Sequence, residues 1–301
     1  MNKWVKRTIV VIVGVVVLGA AGLALGSYLG DRKSQRHIDL DVAAVALPAD
    51  PASLDRGRYL YTTRGCADCH GADGAGKAFI DDGHGMYAKS PNISTGPGNV
   101  VAAYRAQDWV RTIRHGVKPD GRPVFIMPSD DYNRLTDSDL GALIAYVKQL
   151  PPASGDGLVT LIPALVKTLY AAGVIRDAAE KIDHTLPPAM PVPAEVSAAH
   201  GAYVATMCVG CHGAHLSGGK IPGGPPSWPA AANLTPGEGS AMTRYVNAEQ
   251  FIAMLKNGKR PDGSEVSKVM PFGSLRELSD VDANALYLHL KSLPPVAMGN
   301  R

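Results

Sequence analysis

The chain has 301 residues, with 30 lysines and arginines against 27 aspartates and glutamates and a formal net charge of +3. Positive and negative residues are nearly balanced over residues 54–152 and over residues 198–297, and the sequence contains no basic patch of the kind that binds nucleic acid. We therefore expect no nucleic-acid partner.

The first 33 residues are typical of a membrane anchor. Three basic residues precede residues 8–30, which carry no charge and are rich in Val, Leu, Ala and Gly. As a helix this stretch is about 35 Å long, at roughly 1.5 Å per residue, which is enough to span a hydrocarbon core. It exceeds the apolar core of a signal peptide, usually about 7–15 residues. We expect a retained transmembrane helix over residues 1–33, with a cleavable signal as the alternative, and a tether over 34–53.

Three glycines of this span recur every four residues and therefore share one helix face: Gly22, Gly26 and Gly30. Small residues at this spacing let two helices approach closely. Either this face packs against a membrane partner or a second copy of the chain, or the helix is a plain lipid-facing anchor.

Beyond the tether, one unit of about 95 residues is present twice. Residues 135–152, LTDSDLGALIAYVKQLPP, match residues 278–295, LSDVDANALYLHLKSLPP. Strand-like alternation is nearly absent from both copies, and long Gly- and Pro-rich loops separate short helical stretches. We predict an all-α fold with domain 1 at 54–152, a linker at 153–197 and domain 2 at 198–297.

Helix ends can be predicted from capping residues in both copies. Gly116 and Gly258 follow short amphipathic stretches and are candidate C-caps. Thr136 and Ser279 are candidate N-caps of the last helix of each copy. Within the linker, residues 158–179 are predicted to form largely one amphipathic helix, whose start is delayed by a proline at position 163.

Each copy of the repeat begins with a Cys-x-x-Cys-His motif, CADCH at residues 66–70 and CVGCH at residues 208–212. Cys-x-x-Cys can be a redox dithiol, half of a zinc site or a c-type haem attachment site, and the haem site requires the histidine that follows. Two thiols add to the two vinyl groups of one porphyrin, and the adjacent imidazole then lies beneath the iron. The motifs contain all four cysteines of the chain: Cys66 and Cys69 with His70, and Cys208 and Cys211 with His212.

One four-cysteine zinc site is the alternative, but such sites usually keep their pairs about 15–20 residues apart. Here Cys66 and Cys208 are 142 positions apart, and zinc gives no reason for both histidines. A thioredoxin-like dithiol is disfavoured because no βαβ pattern surrounds either pair. We expect two covalently attached haem c groups and no disulfide.

A methionine follows each histidine at nearly the same distance. Met127 lies 57 residues after His70 and Met270 lies 58 residues after His212, and both precede a proline. Haem iron in electron-transfer cytochromes is often held between His and Met, so we predict these two methionines as the second axial ligands. Four other methionines are interpreted as core residues: Met86, Met207, Met242 and Met254.

A third matched position lies between the motif and the methionine of each copy. Asn92 with Ser94 corresponds to Asn233 with Thr235. These side chains either contact a haem propionate or steady the methionine loop, or else they make the ordinary turn hydrogen bonds of Asn, Ser and Thr.

Both units resemble class I cytochrome c domains, which have CxxCH near the first helix, Met-Pro further on and a final helix before Pro-Pro. The stretches RGRYL, PNIS, NLTP, HGVKPDG and AYVKQLPP are similar to the cytochrome c subunits of membrane-bound periplasmic dehydrogenases, such as bacterial alcohol and gluconate dehydrogenases. This resemblance covers about 240 residues. Those subunits usually carry three haem motifs, whereas this chain carries two. The layout is also similar to the dihaem, membrane-anchored subunit of cbb3-type oxidases.

The resemblance implies a membrane-anchored electron carrier rather than an enzyme. We expect a periplasmic dehydrogenase as donor and a terminal oxidase or another cytochrome as acceptor. Since c-type haems are joined outside the cytoplasmic membrane, we expect a single pass through a bacterial cytoplasmic membrane with the haem domains in the periplasm. The alternative is a dihaem peroxidase-like enzyme in which one iron opens a coordination position, which two equivalent methionines disfavour.

Overall fold

The computed structural model describes residues 2–83, 85–225 and 227–300. Helix α1 runs over Lys3–Ser34 and is capped by the Asn2 side chain. It is long and apolar enough to cross a membrane, and Gly30 is its buried residue. The remaining α1 side chains are exposed or half-buried, as expected of a helix whose surroundings are lipid.

Two domains of matching architecture follow, and each is built from short helices. In domain 1 these are α2 Pro51–Thr63, α3 Cys66–His70, α4 Ala106–His115, α5 Ser129–Tyr132 and α6 Asp137–Val147. In domain 2 they are α9 Ala198–Ala205, α10 Val209–His212, α11 Ala248–Asn257, α12 Phe272–Leu275 and α13 Asp280–Ser292, with 3₁₀ turns at Thr206–Cys208 and Ala241–Arg244. The helix α2 begins inside the stretch predicted as a tether.

The first and last helices of each domain cross at a glycine. A Cβ on Gly57 in α2 would collide with the Ala142 carbonyl in α6, and a Cβ on Gly201 in α9 would collide with the Ala285 carbonyl in α13. These glycines occupy equivalent places in the repeat, so backbone contact at the crossing is a shared requirement of both domains.

The predicted helix ends are confirmed. Gly116 and Gly258 end α4 and α11 in the left-handed conformation, with φ of 66° and 74°. The Thr136 hydroxyl accepts from the Asp139 amide at the start of α6, at 3.0 Å, and Ser279 caps α13 in the same way. Local sequence therefore fixes these ends without help from distant contacts.

Each domain has its own apolar core. The core of domain 1 includes Leu60, Trp109 and Leu143, and the core of domain 2 includes Phe251 and Leu286. The predicted core positions of two methionines are confirmed, because Met242 and Met254 are 1% and 4% exposed in domain 2.

The linker differs from its prediction. It forms strand β3 Val159–Leu161 and the short helices α7 Ala164–Ala171 and α8 Ala178–Lys181, where the sequence predicts largely one helix. Pro163 delays the helix as expected and takes the N-cap position. Gly173 after α7 has a φ of 76°, a conformation that ends a helix.

A small antiparallel sheet adds to the otherwise helical fold. Strands β1 Ala78–Asp81 and β2 Tyr87–Lys89 form a hairpin in domain 1, and β3 of the linker pairs with β2. The sequence does not predict the sheet, because strands of three or four residues are too short to leave an alternating pattern.

Candidate haem sites and the interface between them

The first Cys-x-x-Cys-His motif forms the whole of α3, so both thiols and the imidazole are projected from a single turn of helix. The His70 Nδ1 atom lies 3.1 Å from the Pro91 carbonyl oxygen. Because a carbonyl can only accept, this contact places the ring proton on Nδ1 and the remaining lone pair on Nε2. Burial lowers the pKa of His70, with the Pro91 contact opposing it, and this favours the neutral ring that a metal requires.

The second motif repeats this arrangement. The His212 Nδ1 atom lies 2.7 Å from the Ala232 carbonyl oxygen, so the neutral ring again has its lone pair on Nε2. A hydrogen bond from the second ring nitrogen is the usual way in which a protein orients a ligating imidazole. Both histidines therefore have the tautomer that suits iron ligation through Nε2.

All four cysteines are half-buried, and no disulfide joins them. Burial raises the pKa of the Cys66 and Cys208 thiols to about 12. In residues 2–83, 85–225 and 227–300, no three His, Cys, Asp or Glu side chains are grouped so as to hold a metal ion. The two pairs thus do not converge on a four-cysteine zinc site.

Each predicted methionine lies against the same apolar core as the motif of its own domain. Met127 and Cys66 both pack on the core of domain 1, and Met270 and Cys208 both pack on the core of domain 2. Iron ligation by these methionines stays a prediction. Each core therefore carries one motif and one methionine, as two separate haem sites require.

The wall of the first site suits a haem in a second respect. The Trp109 side chain is 5% exposed, and its Nε1 donor has no hydrogen-bond partner. A buried donor usually has a partner, and a haem propionate is an acceptor of the right kind. Phe251 takes the corresponding place in domain 2 and has no such donor.

The matched asparagines pin the loop that carries the histidine's acceptor. The Asn92 side chain donates to the carbonyls of Pro97 and Ala153, both at 2.9 Å, and accepts from the Ser94 amide at 2.8 Å. The Asn233 side chain makes the equivalent bonds to its own loop and to Val296. These contacts are the ordinary turn hydrogen bonds of Asn, together with one bond to the chain segment after the last helix. Because Asn92 follows Pro91 directly, they also hold the carbonyl to which His70 donates.

The two motifs meet at the interface between the domains. Asp68, inside the first motif, contacts the Ser274 hydroxyl in α12, the helix that follows the methionine of domain 2. In return, Asp131 in α5, the helix that follows the methionine of domain 1, accepts from the Gly210 amide inside the second motif at 2.9 Å. Asp68 is equivalent to Gly210 in the repeat, and Asp131 to Ser274, so the contacts are reciprocal.

Burial and the neighbouring Asp130 raise the pKa of Asp131 to about 7, while the Gly210 amide opposes the shift. This carboxyl of domain 1 therefore lies directly against the second motif. Comparison of the two copies of the repeat did not predict these two contacts. The available signal was that Asp68 is replaced by Gly210, whereas Asp131 is replaced by Ser274.

A second reciprocal contact flanks the first. The Tyr59 hydroxyl of domain 1 donates to Asp282 of domain 2 at 2.7 Å, and the Tyr203 hydroxyl of domain 2 donates to Asp139 of domain 1 at 2.6 Å. Tyr59 is equivalent to Tyr203 in the repeat, and Asp139 is equivalent to Asp282. The two domains are therefore related by an approximate two-fold axis through this interface.

Each of these aspartates also has a cationic or imidazole partner. Arg56 makes two hydrogen bonds to Asp139, at 2.8 and 2.7 Å, and His200 Nε2 lies 2.7 Å from Asp282. Burial would raise the pKa of Asp139, but the Arg56 guanidinium outweighs it, and the pKa lies below its usual value. The carboxylate at this buried position is therefore ionised and paired, which keeps the interface polar and specific in its geometry.

Known protein families match both domains. Residues 54–151 match the family described as cytochrome c, and residues 194–290 match the family described as cytochrome c oxidase, cbb3-type, subunit III. The first match covers the domain that contains α3, and the second covers the domain that contains α10.

Relatives of known function match along most of the chain. They include the fructose dehydrogenase cytochrome subunit of Gluconobacter japonicus, 27% identical over 81% of this chain and 53% of the relative. The cytochrome c subunit of the quinone alcohol dehydrogenase of Gluconobacter oxydans (strain 621H) is 27% identical, over 85% and 58%. The gluconate 2-dehydrogenase cytochrome c subunit of Pantoea cypripedii is 26% identical, over 81% and 60%.

The chain thus spans between 53% and 60% of the length of these relatives. What matches is the pair of domains, with the two CxxCH motifs inside them. The chain has two cytochrome c domains, which imply covalently bound haem c, and it is homologous to the cytochrome c subunits of fructose, alcohol and gluconate dehydrogenases.

Proposed function

We propose that the protein is a membrane-anchored dihaem electron carrier. It would receive electrons from a dehydrogenase on the periplasmic side and pass them to a terminal oxidase or another cytochrome. The observation that carries the proposal is the reciprocal interface, in which Asp68 and Asp131 join each CxxCH helix to the segment after the other domain's methionine. One folded unit then holds two redox sites side by side, as relay of single electrons requires.

The residues proposed to hold the haems are the four cysteines and four axial side chains. The first haem would be bound by Cys66 and Cys69, with His70 and Met127 on the iron, and the second by Cys208 and Cys211, with His212 and Met270 on the iron. Haem bound in this way supplies a one-electron ferric–ferrous couple, and His/Met ligation raises its potential. The protein's part is to orient the ligands and exclude water around them.

The fixed histidine tautomers support this assignment. Pro91 and Ala232 hold the ring protons of His70 and His212 on Nδ1, so Nε2 needs no proton transfer before it ligates iron. The apolar cores on which Met127 and Met270 pack favour a thioether over water as a second ligand. A site closed on both faces has no position for a substrate, which fits electron transfer.

A single membrane pass with the domains in the periplasm is part of the proposal. Helix α1 has the length and composition of a span, and covalent haem attachment takes place outside the cytoplasm. An anchor of this kind keeps the domains close to membrane partners and so raises their effective concentration. The dehydrogenase and oxidase subunits that the chain resembles make partners of these two classes the natural donors and acceptors.

The peroxidase-like alternative is not supported. The relatives are cytochrome c subunits of dehydrogenases, and both domains place a methionine on the core that carries the motif.

Haem stoichiometry and single-methionine variants test the proposal. The purified protein should contain two covalent haems per chain. Met127→Ala and Met270→Ala should each remove half of the methionine–iron charge-transfer absorption and make one haem able to bind added ligands. Met254→Leu, a core methionine of domain 2, is the control and should leave the absorption unchanged.

If both single variants keep the full charge-transfer absorption, the methionine assignment is wrong. If the protein attaches fewer than two haems, the dihaem carrier itself is wrong. Co-purification from membranes addresses the partners, since a donor dehydrogenase should be retained with the anchored chain and should reduce both haems on addition of its substrate.

A further inference from the structure

The linker contains an apolar segment that neither haem site explains. Residues 157–175, called here the apolar linker segment, carry one charged residue, Lys167. Several of its large apolar side chains lie on the surface: Leu161 is 58% exposed, Leu165 is 61% exposed and Val174 is 67% exposed. Single exposed apolar residues are common, but several within one segment that carries a single charge mark a candidate contact site.

The apolar linker segment packs directly on the membrane-spanning helix. A Cβ on Gly26 would collide with the Thr168 side chain, and a Cβ on Gly30 would collide with the Lys167 carbonyl. The Thr168 hydroxyl also reaches the Leu23 carbonyl at 3.4 Å. Two of the three glycines predicted to form a packing face are therefore covered by α7 of the same chain.

Polar contacts fix α7 at the outer end of α1. The Lys167 ammonium is 2.8 Å from the Asp31 carboxylate, so the one charge of the segment is paired. The Lys33 ammonium donates to the Tyr170 carbonyl at 2.9 Å, and the Arg36 guanidinium donates to the Tyr170 hydroxyl at 2.8 Å. The segment is thus held beside α1 and is not a loosely attached loop.

The rise per residue of a helix gives the depth of these contacts in the bilayer. If the uncharged stretch 8–30 is centred in the bilayer, its middle is near residue 19. Leu23 then lies about 6 Å and Gly30 about 16 Å beyond the midplane, at roughly 1.5 Å per residue. Half of a hydrocarbon core is about 15 Å thick. The α7 contacts therefore extend from the acyl chains of the outer leaflet to the boundary with the headgroups.

We propose that the apolar linker segment lies in the outer interface of the bilayer, with the Leu161, Leu165 and Val174 side chains against lipid acyl chains. This inference rests on α1 being a membrane span, as proposed above. The chemistry fits a lipid surface, because an apolar face beside a paired lysine is what interfacial helices bury at the boundary between headgroups and acyl chains. Two membrane contacts instead of one would fix the tilt of domain 1 relative to the bilayer.

The apolar linker segment also packs on domain 1, so its contact with the membrane would set the orientation of that domain. Tyr170 is 2% exposed and makes an edge-to-face contact with Phe125, at 4.9 Å between ring centroids. Phe125 precedes Met127 by two residues. The lipid contact would therefore hold the methionine side of domain 1 at a set height above the membrane.

The inference can be tested on the full chain with an apolar carbene-forming probe. The protein is reconstituted in vesicles of phosphatidylethanolamine and phosphatidylglycerol, the probe is dissolved in the bilayer and activated, and labelled peptides are quantified by mass spectrometry. Peptides from the apolar linker segment should be labelled several-fold more than the peptide around Val246, which is 81% exposed and lies in domain 2. Labelling of α1 is the internal reference for the span.

A triple variant, Leu161→Ser with Leu165→Ser and Val174→Ser, should lose most labelling of the segment while α1 stays labelled. Leu288→Ser, which changes an exposed leucine of domain 2, is the matched control and should change nothing. Labelling of the segment no higher than that of the Val246 peptide, with α1 fully labelled, would overturn the inference, whether water or another protein covers the segment. Absence of labelling from α1 as well would overturn the membrane anchor and this inference with it.

Discussion

The Nδ1 atoms of His115 and His184 lie 3.1 Å apart, and this contact joins the end of α4 to the linker. The second nitrogen of His184 lies 3.1 Å from the Ala179 carbonyl, so that nitrogen carries the ring proton and its Nδ1 accepts from His115. Burial, with the charges of His184 and Arg114, lowers the pKa of His115 to about 4. The His115 ring is therefore neutral at neutral pH.

We predict that the linker loosens as the pH falls below about 6.5, the ordinary value for histidine. Between about pH 6.5 and 4 the unfolded chain binds a proton at this position that the folded chain does not, so stability decreases with decreasing pH and is fully present above about 6.5. Between pH 6.5 and 5 the loss should be about 1–2 kcal/mol, at about 1.4 kcal/mol per pKa unit. Unfolding curves measured at several pH values check it.

The variant His115→Gln should flatten this pH dependence, because the group that must stay neutral is gone. His289→Gln provides a comparison, since burial also lowers the pKa of His289 but in domain 2 and away from the linker. Equal pH slopes for the wild type and His115→Gln would contradict the prediction.

A second prediction concerns the difference between Trp109 and Phe251, which occupy equivalent positions in the two domains. An indole donor near a haem propionate offsets its negative charge, so its loss should stabilise ferric iron. Trp109→Phe should then lower the midpoint potential of the first haem by tens of millivolts, where about 59 mV corresponds to 1.4 kcal/mol for one electron. Potentiometry with each haem resolved measures this shift.

The second haem should keep its potential in Trp109→Phe. The reciprocal variant, Phe251→Trp, adds a donor to domain 2 and should raise only the second potential. If Trp109→Phe leaves both potentials unchanged, the indole donor serves another acceptor.

Much of each domain could be predicted from the sequence because it depends on local chemistry. The capping residues Thr136, Ser279, Gly116 and Gly258 act within one turn of their own helix, so their signals are complete in the sequence. The motif histidines can be predicted in the same way, because each directly follows the second cysteine of its pair. The candidate haem sites could therefore be predicted from the sequence, one in each domain.

The interface between the domains could not be predicted, because its contacts join residues far apart in the chain. Tyr59 and Asp282 are 223 positions apart, and nothing in the local sequence of either indicates its partner. The exchange of Asp68 for Gly210 in the repeat is a signal that these positions differ in role, but it does not identify their partners. The division of the linker into β3, α7 and α8 could not be predicted either. Helix α7 ends at a glycine turn, and this end suits the packing of α7 against α1.

A third prediction tests the loop that holds the histidine's acceptor. Asn92→Ala removes two donors to buried carbonyls and one acceptor, and each buried group left without a partner costs about 1–3 kcal/mol. We expect domain 1 to lose about 2–4 kcal/mol of stability, with domain 2 unaffected. Asn99→Ala, which removes one bond to Gly96, should cost less.

The measurement for this pair is unfolding followed separately in each domain by haem absorbance. Asn233→Ala should produce the same effect in domain 2 and spare domain 1. A loss no larger in Asn92→Ala than in Asn99→Ala would mean that the loop is held by other contacts.

The last prediction concerns the approximate two-fold axis between the domains. Tyr59→Phe and Tyr203→Phe each remove one hydroxyl that bridges to a buried aspartate in the opposite domain. Asp139 and Asp282 keep their Arg56 and His200 partners.

Each single variant should therefore destabilise the interface by about 1–2 kcal/mol without unfolding a domain. The effects should not be additive in the double variant, because Arg56 pairs with Asp139 and also lies over the Tyr59 ring, which couples the two contacts. Loss of both bridges should slow the equilibration of electrons between the haems, while haem content and both potentials stay the same. Tyr287→Phe, whose 3.4 Å bond to the Tyr245 carbonyl lies within domain 2, controls for loss of a hydroxyl. A double variant that has wild-type stability and equilibrates at the wild-type rate would show that Asp68 and Asp131 alone hold the two sites together.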